Sequence, residues 1–367
     1  MTDNIFDRLA ELLQSAGPVN WRLASQIAES VAGAAEPVEP WVAEEYEELS
    51  RTAVMLIGRS GVLDPGTAPP PAIIDPRGWA AANVEGYAYL AEPLAEKMGT
   101  PGSGAGSAMG LEQILGQLGP ALVGMQIGSL VGALAHGLLG QFDAGLPPVT
   151  NGDDSYLVVP NLETLASNEG LDVRQTRLWA VLRETAHQAQ FTVPWVQGRL
   201  ADLVGDYIRR LEFRPEHLQD RLQNLQDPAE LERMMAEPGG LGGFESSPES
   251  DGIRDDLLAM LALLDGHGEA AVTAAAGTML PDLGDIRRAA ASRHIDGGPE
   301  QALGQMLGIE FDRSLADDAA DFCDDIERRW GLESLSQLWE GPESLPTLAE
   351  LRDPVGWAAR VLLSDEI

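Results

Sequence analysis

The longest stretch without a charged side chain, residues 114–142, limits the possible folds of this chain more than any other feature. A segment of that length and apolarity either crosses a bilayer or lies buried inside the protein. Gly124, Gly128 and Gly132 recur at four-residue spacing within it and therefore share one face of a helix, where small residues allow close packing of a second helix. Because the stretch has no basic flank and the chain shows no second candidate span, we interpret it as a buried core helix and expect no membrane span.

Helical periodicity dominates the remainder of the sequence. Amphipathic patterns cover residues 5–13, 21–32, 41–57, 79–96 and 178–191. Only residues 156–160 favour a strand, because they are rich in β-branched side chains and end in a proline suited to a sheet edge. No partner strand is evident. We therefore predict a mainly α fold with a small β element.

The length and composition allow one large domain or two lobes. With 367 residues, of which 44% are hydrophobic, the chain can bury a sizeable core. Residues 99–107 and 237–250 are rich in Gly, Pro and Ser and predict linkers or surface loops. We predict an N-terminal helical lobe over residues 1–100 and a second lobe, with the glycine-rich helix, over residues 101–367.

The charge balance argues against two classes of partner, nucleic acids and anionic lipid surfaces. The chain has 58 acidic and 24 basic residues and a net charge of -34, which repels nucleic-acid phosphates and anionic lipid. We expect no nucleic-acid binding, and a basic partner or a cation fits better.

Two features indicate an intracellular location. The single cysteine, Cys323, excludes an internal disulfide framework, and we interpret it as a small buried hydrophobe. Residues 1–13 carry acidic side chains and lack a basic start followed by an apolar run, so they do not resemble a signal peptide. We expect a cytoplasmic protein.

The predicted helix 178–191 carries residues with a known chemical pattern. Arg183 and His187 are four residues apart, so both side chains lie on one face of the helix, one turn apart. The two histidines of an H-E-x-x-H zinc helix have this spacing, and here arginine takes the first position. Glu184 has the position of the glutamate that activates the zinc-bound water, and His187 that of the second ligand. A Glu-x-x-His pattern alone is weak evidence, since charged helices produce it by chance.

Further segments, spread over most of the chain, add the specificity that this motif lacks. They are Pro18-Val19-Asn20-Trp21, residues 75–87 with Trp79, Asn83 and Glu85, Leu139-Gly140-Gln141-Phe142-Asp143, Val158-Val159-Pro160-Asn161, Pro194-Trp195, Gly266-His267, Leu338-Trp339-Glu340, Leu345-Pro346-Thr347, Glu350, Asp353-Pro354 and Trp357. In order and content they resemble a family of bacterial zincin-like proteins labelled zinc-dependent metalloproteases or hydrolases. The resemblance implies a multi-helical zincin-like fold, in which the helix of His187 packs against the helix of Asp265 beneath a cleft.

The resemblance also implies which residues would hold a metal. In such relatives a Glu-Gly-His-Ala sequence supplies the next acidic ligand, and this chain has Asp265-Gly266-His267-Gly268 there. Aspartate is one methylene shorter than glutamate, so its carboxylate would fall short by about 1.5 Å. We expect Arg183 to pair with Asp265, and with Glu184, in an ion-pair cluster that replaces zinc, so that no cofactor is bound.

Other interpretations of these residues stay open. A rearranged zinc site would use His187, Asp265 and His267, close to Glu269, with Glu184 as general base. Alternatively, Arg183 and Glu184 are surface side chains and His187 is a structural histidine. The other tryptophan and histidine residues give no indication of a catalytic or metal site. Trp179, Trp195, Trp339 and Trp357 are expected in the core, and His136, His217 and His294 have no partners at metal-ligand spacing.

Three functions follow from these alternatives. The first is a non-catalytic member of the metalloprotease family that binds a peptide or protein in the remnant cleft. The second is an active zinc-dependent metallohydrolase or peptidase. The third is a structural partner protein, which predicts an exposed apolar patch that is buried on assembly. The sequence specifies neither a substrate nor an oligomeric state.

Overall fold

The structure is a computed structural model, and it describes most of the chain. The described residues are 15, 17–66, 69–99, 109–150, 152, 154–213, 244–293, 299–312 and 314–363. Several predictions lie outside them: the helix over residues 5–13, His217, His294, and most of both Gly/Pro/Ser-rich segments.

Helices make up most of the described residues, as predicted. In chain order they are α1 Trp21–Ala32, α2 Pro40–Ser60, α3 Pro76–Asn83, α4 Ala88–Gly99, α5 Met109–Gly137, α6 Val159–Glu169, α7 Val173–Phe191, α8 Val196–Arg210, α9 Pro248–Ala276, α10 Leu283–Ser292, α11 Pro299–Leu307, α12 Ser314–Trp330, α13 Leu348–Leu351 and α14 Pro354–Val361. Short 3-10 helices cover Val84–Tyr87, Gly277–Met279, Leu332–Trp339 and Pro342–Ser344.

The β structure is small. Strand β1, Ala72–Ile74, pairs in parallel with β2, Tyr156–Val158, and β3, Glu212–Phe213, pairs antiparallel with β4, Phe244–Glu245. The strand predicted after residue 155 therefore exists and has a partner that its sequence did not reveal. It ends at Val158 instead of Pro160, because Pro160 lies in the first turn of α6, where a missing N–H leaves no hydrogen bond unmade.

The uncharged stretch forms α5, a buried helix that packs against α1. A Cβ atom added to Gly124 would lie 2.5 Å from the carbonyl oxygen of Asn20, and one added to Gly128 would lie 2.5 Å from that of Ala24. Gly132 makes a similar approach one turn later. Most residues between Gly119 and Gly137 of α5 are buried. The predicted close packing of two helices is therefore confirmed.

A second apolar helix was missed in the sequence. Among the described residues, Pro248–Met279 is long and apolar enough to cross a bilayer by length and composition, with a mean hydropathy of 1.2. In the structure 61% of its most apolar stretch is buried inside the protein. The statement that the chain has no second candidate span was wrong, and the absence of a membrane span stays a prediction.

The buried hydrophobic residues form two clusters, and both contain N-terminal helices. The first cluster joins α1, α3, α4, α5 and α8, and the second joins α2, α6, α7, α10, α12 and α14. Helix α9 contributes to both clusters. The predicted lobe boundary near residue 100 stays a prediction, and the packing of the described residues crosses it.

The buried aromatic and sulfur side chains follow the predictions in part. Trp179, Trp357 and Cys323 are buried, as expected. Trp195 and Trp339 are half-buried, so their prediction as core residues was wrong. The two rings stack on each other with centroids 6.4 Å apart, and Trp195 Nε1 donates to the Trp339 carbonyl oxygen at 3.0 Å. This pair packs against the rim of the core instead of filling it.

Candidate functional site

Helix α7 is buried on nearly all sides. Asp172 caps its first turn by accepting a hydrogen bond from the backbone N–H of Gln175 at 2.8 Å. Residues 176–191 are buried apart from Arg183, because α2, α9 and β2 pack around them. The predicted packing of this helix against the helix of Asp265, which is α9, is confirmed. A helix with so many polar residues in this position must satisfy them internally.

Arg183 lies among carboxylates. Its side chain is 15% exposed, and its guanidinium nitrogens lie 3.4 Å from Asp265 Oδ1, 3.6 Å from Asp143 Oδ1 and 3.7 Å from Glu269 Oε1. The pairing with Asp265 agrees with the sequence analysis, and the reading of Arg183 as a surface residue was wrong. Burial opposes the charge of Arg183, but Asp143 and then Asp265, Glu269 and Glu184 outweigh it and raise its pKa.

The carboxylates around Arg183 contact two further arginines. Asp143 Oδ2 lies 3.0 Å from Arg293 Nη2 and accepts the Leu139 N–H at 2.9 Å. Glu269 Oε2 lies 2.5 Å from Arg287 Nε. We call this set the Arg183 cluster. Its members are Asp143, Arg183, Asp265, Glu269, Arg287 and Arg293. Three guanidinium groups face three carboxylates, so the cluster is balanced in charge.

Glu184 lies apart from the Arg183 cluster in a buried pocket of its own. Its Oε1 accepts the backbone N–H of Gln141 at 3.3 Å, and it is 1% exposed, so its reading as a surface carboxylate was wrong. The expected direct pair with Arg183 is absent among the ion pairs of the described residues. Gly140 makes room for this carboxyl group, since a Cβ there would overlap Glu184 Oε2. Burial raises the pKa of Glu184 to about 8, although Arg183 lowers it.

His187 and His267 are joined through one buried amide. His187 Nδ1 lies 2.9 Å from Gln190 Oε1, while Gln190 Nε2 donates to the Leu264 carbonyl oxygen at 2.9 Å and faces His267 Nδ1 at 3.4 Å. Because the bond to Leu264 fixes the amide orientation, Oε1 is the acceptor and the His187 proton is assigned to Nδ1. Burial lowers the pKa of His187 to about 3 and that of His267 to about 4, so both rings are neutral at pH 7.

The remaining nitrogen of His187 faces the Arg183 cluster. His187 Nε2 is buried, has no hydrogen-bond partner and lies 3.8 Å from Asp265 Oδ1. Gly268 allows this position, because a Cβ there would lie 2.8 Å from His187 Cε1. The Nδ1 atom of His187 therefore has a structural hydrogen bond, as the interpretation of a structural histidine expects, whereas its Nε2 atom does not. Nε2 is an acceptor that nothing in the described residues satisfies.

The described residues do not assemble a metal site from the predicted ligands. His267 points away from Asp265, because the two residues are two positions apart on α9, and its ring packs edge-on against Trp339 at 5.1 Å. No group of three His, Cys, Asp or Glu side chains that could hold a metal ion occurs among the described residues. A guanidinium stands one helical turn from His187, where the motif places its first imidazole. This donor set does not fit a zinc ion held by three ligands.

A cleft of about 580 Å³ opens beside the Arg183 cluster. Asp143, Arg183, Asp265 and Asp312 form its polar part. Its apolar walls come from three regions of the chain: Phe142 and Ala144, Leu258, Leu261 and Ala262 of α9, and Phe311, Leu315 and Ala316. This volume includes space that is open to solvent at the mouth of the cleft. The cleft predicted beside this pair of helices is therefore present.

Sequence reasoning missed several site residues. Asp143 ends a segment that carried the family resemblance, yet nothing in that segment indicated a role for it. Arg287 and Arg293 had no sequence signal, because they reach the site only through tertiary packing. His136, assigned no site, contacts the Val31 carbonyl oxygen at 2.7 Å through Nε2 and so joins α5 to the end of α1.

Comparisons with known proteins agree with this fold. A family model for zincin-like metallopeptidases matches residues 19–358. A crystal structure from Chloroflexus aurantiacus, described as "a putative hydrolase with a novel fold", is 23% identical, with a TM-score of 0.67 over 93% of this chain and 98% of that one. The search of curated proteins found no match. The match to the family model covers most of the chain, which therefore belongs to the zincin-like metallopeptidase family.

Proposed function

We propose that this chain is a non-catalytic member of the zincin-like metallopeptidase family that binds a peptide or protein segment in its cleft without zinc. The observation that carries the proposal is the position of Arg183. Its guanidinium lies one helical turn before His187 and within 3.7 Å of three carboxylates. A permanent cation therefore supplies the positive charge that these acids require.

Electrostatics argue against adding zinc to this arrangement. A divalent ion about 4 Å from a guanidinium would be repelled by several kcal/mol at an effective dielectric constant of about 20. Each carboxylate of the Arg183 cluster already contacts at least one arginine, so binding zinc would also break an ion pair.

The state of Glu184 supports the loss of hydrolysis. A general base must be ionised at the working pH, and burial keeps the pKa of Glu184 at about 8. At pH 7 the carboxyl group is mostly protonated, which disfavours its use as a general base. The backbone N–H of Gln141 donates a hydrogen bond to Glu184 and helps to hold the group in place.

The alternative is an active zinc-dependent metallohydrolase, and one observation favours it. His187 Nε2 is buried, unpartnered and 3.8 Å from Asp265 Oδ1. A rearranged site would use this nitrogen with Asp265 and His267, and Glu184 would serve as general base. It would require His267 to turn away from Trp339 and Asp265 to leave Arg183.

Incubation of the protein with a peptide mixture, with and without added zinc, separates the two functions. We expect mass spectrometry to find peptides that co-purify with the protein and no cleavage products in either condition. Zinc-dependent cleavage that is lost in Glu184→Gln would establish the alternative and overturn the proposal. The Glu184→Gln protein, prepared in parallel, also controls for a contaminating protease. The cytoplasmic location expected from the sequence stays a prediction.

A further inference from the structure

The cleft beside the Arg183 cluster combines apolar walls with an excess of acid. Three carboxylates, those of Asp143, Asp265 and Asp312, line it together with one guanidinium, that of Arg183. Asp265 has 53% of its side chain exposed, and Asp312 is exposed as well. A ligand in the cleft therefore meets carboxylate oxygens more readily than the guanidinium.

Arg183 is a poor receptor for an incoming anion. Its nitrogens already face Asp143, Asp265 and Glu269 at 3.4–3.7 Å. A ligand carboxylate at the guanidinium would come close to Asp265 and Asp143, and like charges at that distance repel. The whole chain adds to this repulsion with its net charge of -34.

An independent observation points to a hydrogen-bond donor at the same place. His187 Nε2 is buried, has no partner and lies 3.8 Å from Asp265 Oδ1. With the His187 proton on Nδ1, both facing atoms are acceptors. Nε2 therefore stays unsatisfied until a donor approaches it. The exposed Asp265 carboxylate, which also faces Arg183 at 3.4 Å, gives such a donor access from the cleft.

The apolar walls specify the rest of the ligand. Leu258 and Leu261 of α9 line the cleft together with Phe311 and Leu315. All four side chains are half-buried, so a ligand group between them would remove further apolar surface from water. We propose that the cleft binds a peptide segment that carries a large apolar side chain next to lysine or arginine, with the basic group at Asp265. This inference rests on the proposed function and names its ligand class.

Fluorescence anisotropy with three labelled peptides of equal length tests the ligand class. The first has a central leucine between lysines, the second a central leucine between glutamates, and the third a central glycine between lysines. We expect the first to bind at least about tenfold more tightly than either of the others, since it alone satisfies both halves of the cleft.

A matched pair of variants tests the role of Asp265. Asp256 lies on the same helix with the same 53% exposure of its side chain, near Arg199 and outside the cleft. We expect Asp265→Asn to weaken binding of the lysine–leucine peptide about fivefold or more, and Asp256→Asn to change it less than about twofold. Thermal unfolding of each variant shows whether it is folded, and equal losses in two folded variants would overturn the assignment of Asp265.

The outcomes separate this inference from the function on which it rests. Equal or tighter binding of the glutamate peptide overturns the ligand class, while peptide binding itself stands. If none of the three peptides binds, the ligand class is overturned, and the co-purification experiment with mixed peptides decides the proposed function independently.

Discussion

The guanidinium of Arg183 lies 3.4 Å from the carboxylate of Asp265, so two residues that the sequence analysis expected at metal-ligand positions contact each other directly. Relative to the histidine and glutamate that the resemblance implies, the first residue carries a permanent positive charge and the second has a shorter acidic side chain. Asp143, Glu269, Arg287 and Arg293 extend this pair into a cluster of balanced charge. Removal of a member should therefore leave an uncompensated charge inside the protein.

We expect Arg183→Gln to lower the free energy of unfolding by about 3 kcal/mol, the cost typical of breaking a buried ion pair. Asp143, which has only 7% of its side chain exposed, would lose Arg183 and keep Arg293 as a cationic partner. Urea unfolding at neutral pH measures the change. The control is Arg288→Gln, because Arg288 is 76% exposed and pairs with Asp285 at the surface. That variant should change stability by less than about 0.5 kcal/mol, and equal effects of the two substitutions would contradict the account.

Alanine substitutions at two glycines of α9 test the close contact between this helix and His187. A Cβ at Gly268 would lie 2.8 Å from His187 Cε1, whereas a Cβ at Gly252 would meet nothing within 4 Å. Alanine is favoured over glycine in a helix, so we expect Gly252→Ala to be neutral or to stabilise by up to about 1 kcal/mol. Gly268→Ala should destabilise by about 1–3 kcal/mol, since the imidazole must move.

Removal of the imidazole should relieve the Gly268→Ala defect. In a His187→Ala background, Gly268→Ala has no ring to displace, so we expect the destabilisation to shrink by more than half. A double-mutant cycle of unfolding free energies measures this coupling. Additive effects of the two substitutions would mean that the strain lies elsewhere.

Stability should depend on pH through Glu184. The pKa of this residue is about 8 in the folded protein and ordinarily 4.5, so the folded state holds the proton more tightly than the unfolded state. The contribution of Glu184 to the free energy of unfolding is fully present below pH 4.5 and is lost as the pH rises through about 8. We expect the free energy of unfolding of Glu184→Gln to rise relative to that of the wild type by a few kcal/mol between about pH 5 and pH 9. Urea unfolding at several pH values measures this difference. A constant difference between the two proteins over that range would contradict the assignment.

The two buried histidines should make the folded protein less stable as the pH falls, which is the opposite of the effect of Glu184. Their pKa values are about 3 for His187 and about 4 for His267 in the folded protein, against an ordinary 6.5. The unfolded chain therefore binds more protons below pH 6.5, and the contribution of both residues is lost as the pH falls toward these values. We expect the wild type to lose more stability than His187→Gln or His267→Gln between about pH 7 and pH 5. The difference between the curves isolates the histidines from Glu184, which acts in the opposite sense.

Local sequence patterns predict most of the helices because these helices carry their own periodicity. The pattern over residues 21–32 matches α1, and those over residues 41–57 and 178–191 lie within α2 and α7. The single helix predicted over residues 79–96 is instead divided by a 3-10 turn. Gly86 explains the division, because its carbonyl oxygen accepts the Val149 N–H at 2.9 Å and Pro148 packs closely against it. That contact joins distant parts of the chain and leaves no local pattern.

The site was predictable only where residues follow the family motif. Arg183, His187 and Asp265 were expected together from the resemblance, and the structure brings all three together. Asp143, Arg287 and Arg293 reach the cluster from a loop and from the segment around α10, so nothing in their own sequence marks them. Burial of Glu184 was also unpredictable, since it depends on the absence of a side chain at Gly140.

Elemental analysis of zinc in protein purified without chelator and without an affinity metal tests the central claim most directly. The account predicts no stoichiometric zinc in the wild type, because Arg183 supplies the positive charge of the site. Arg183→His, measured in parallel, restores the first motif ligand and is expected to take up zinc. One zinc ion per chain in the wild type would contradict the account and establish a metal site built from residues other than the Arg183 position.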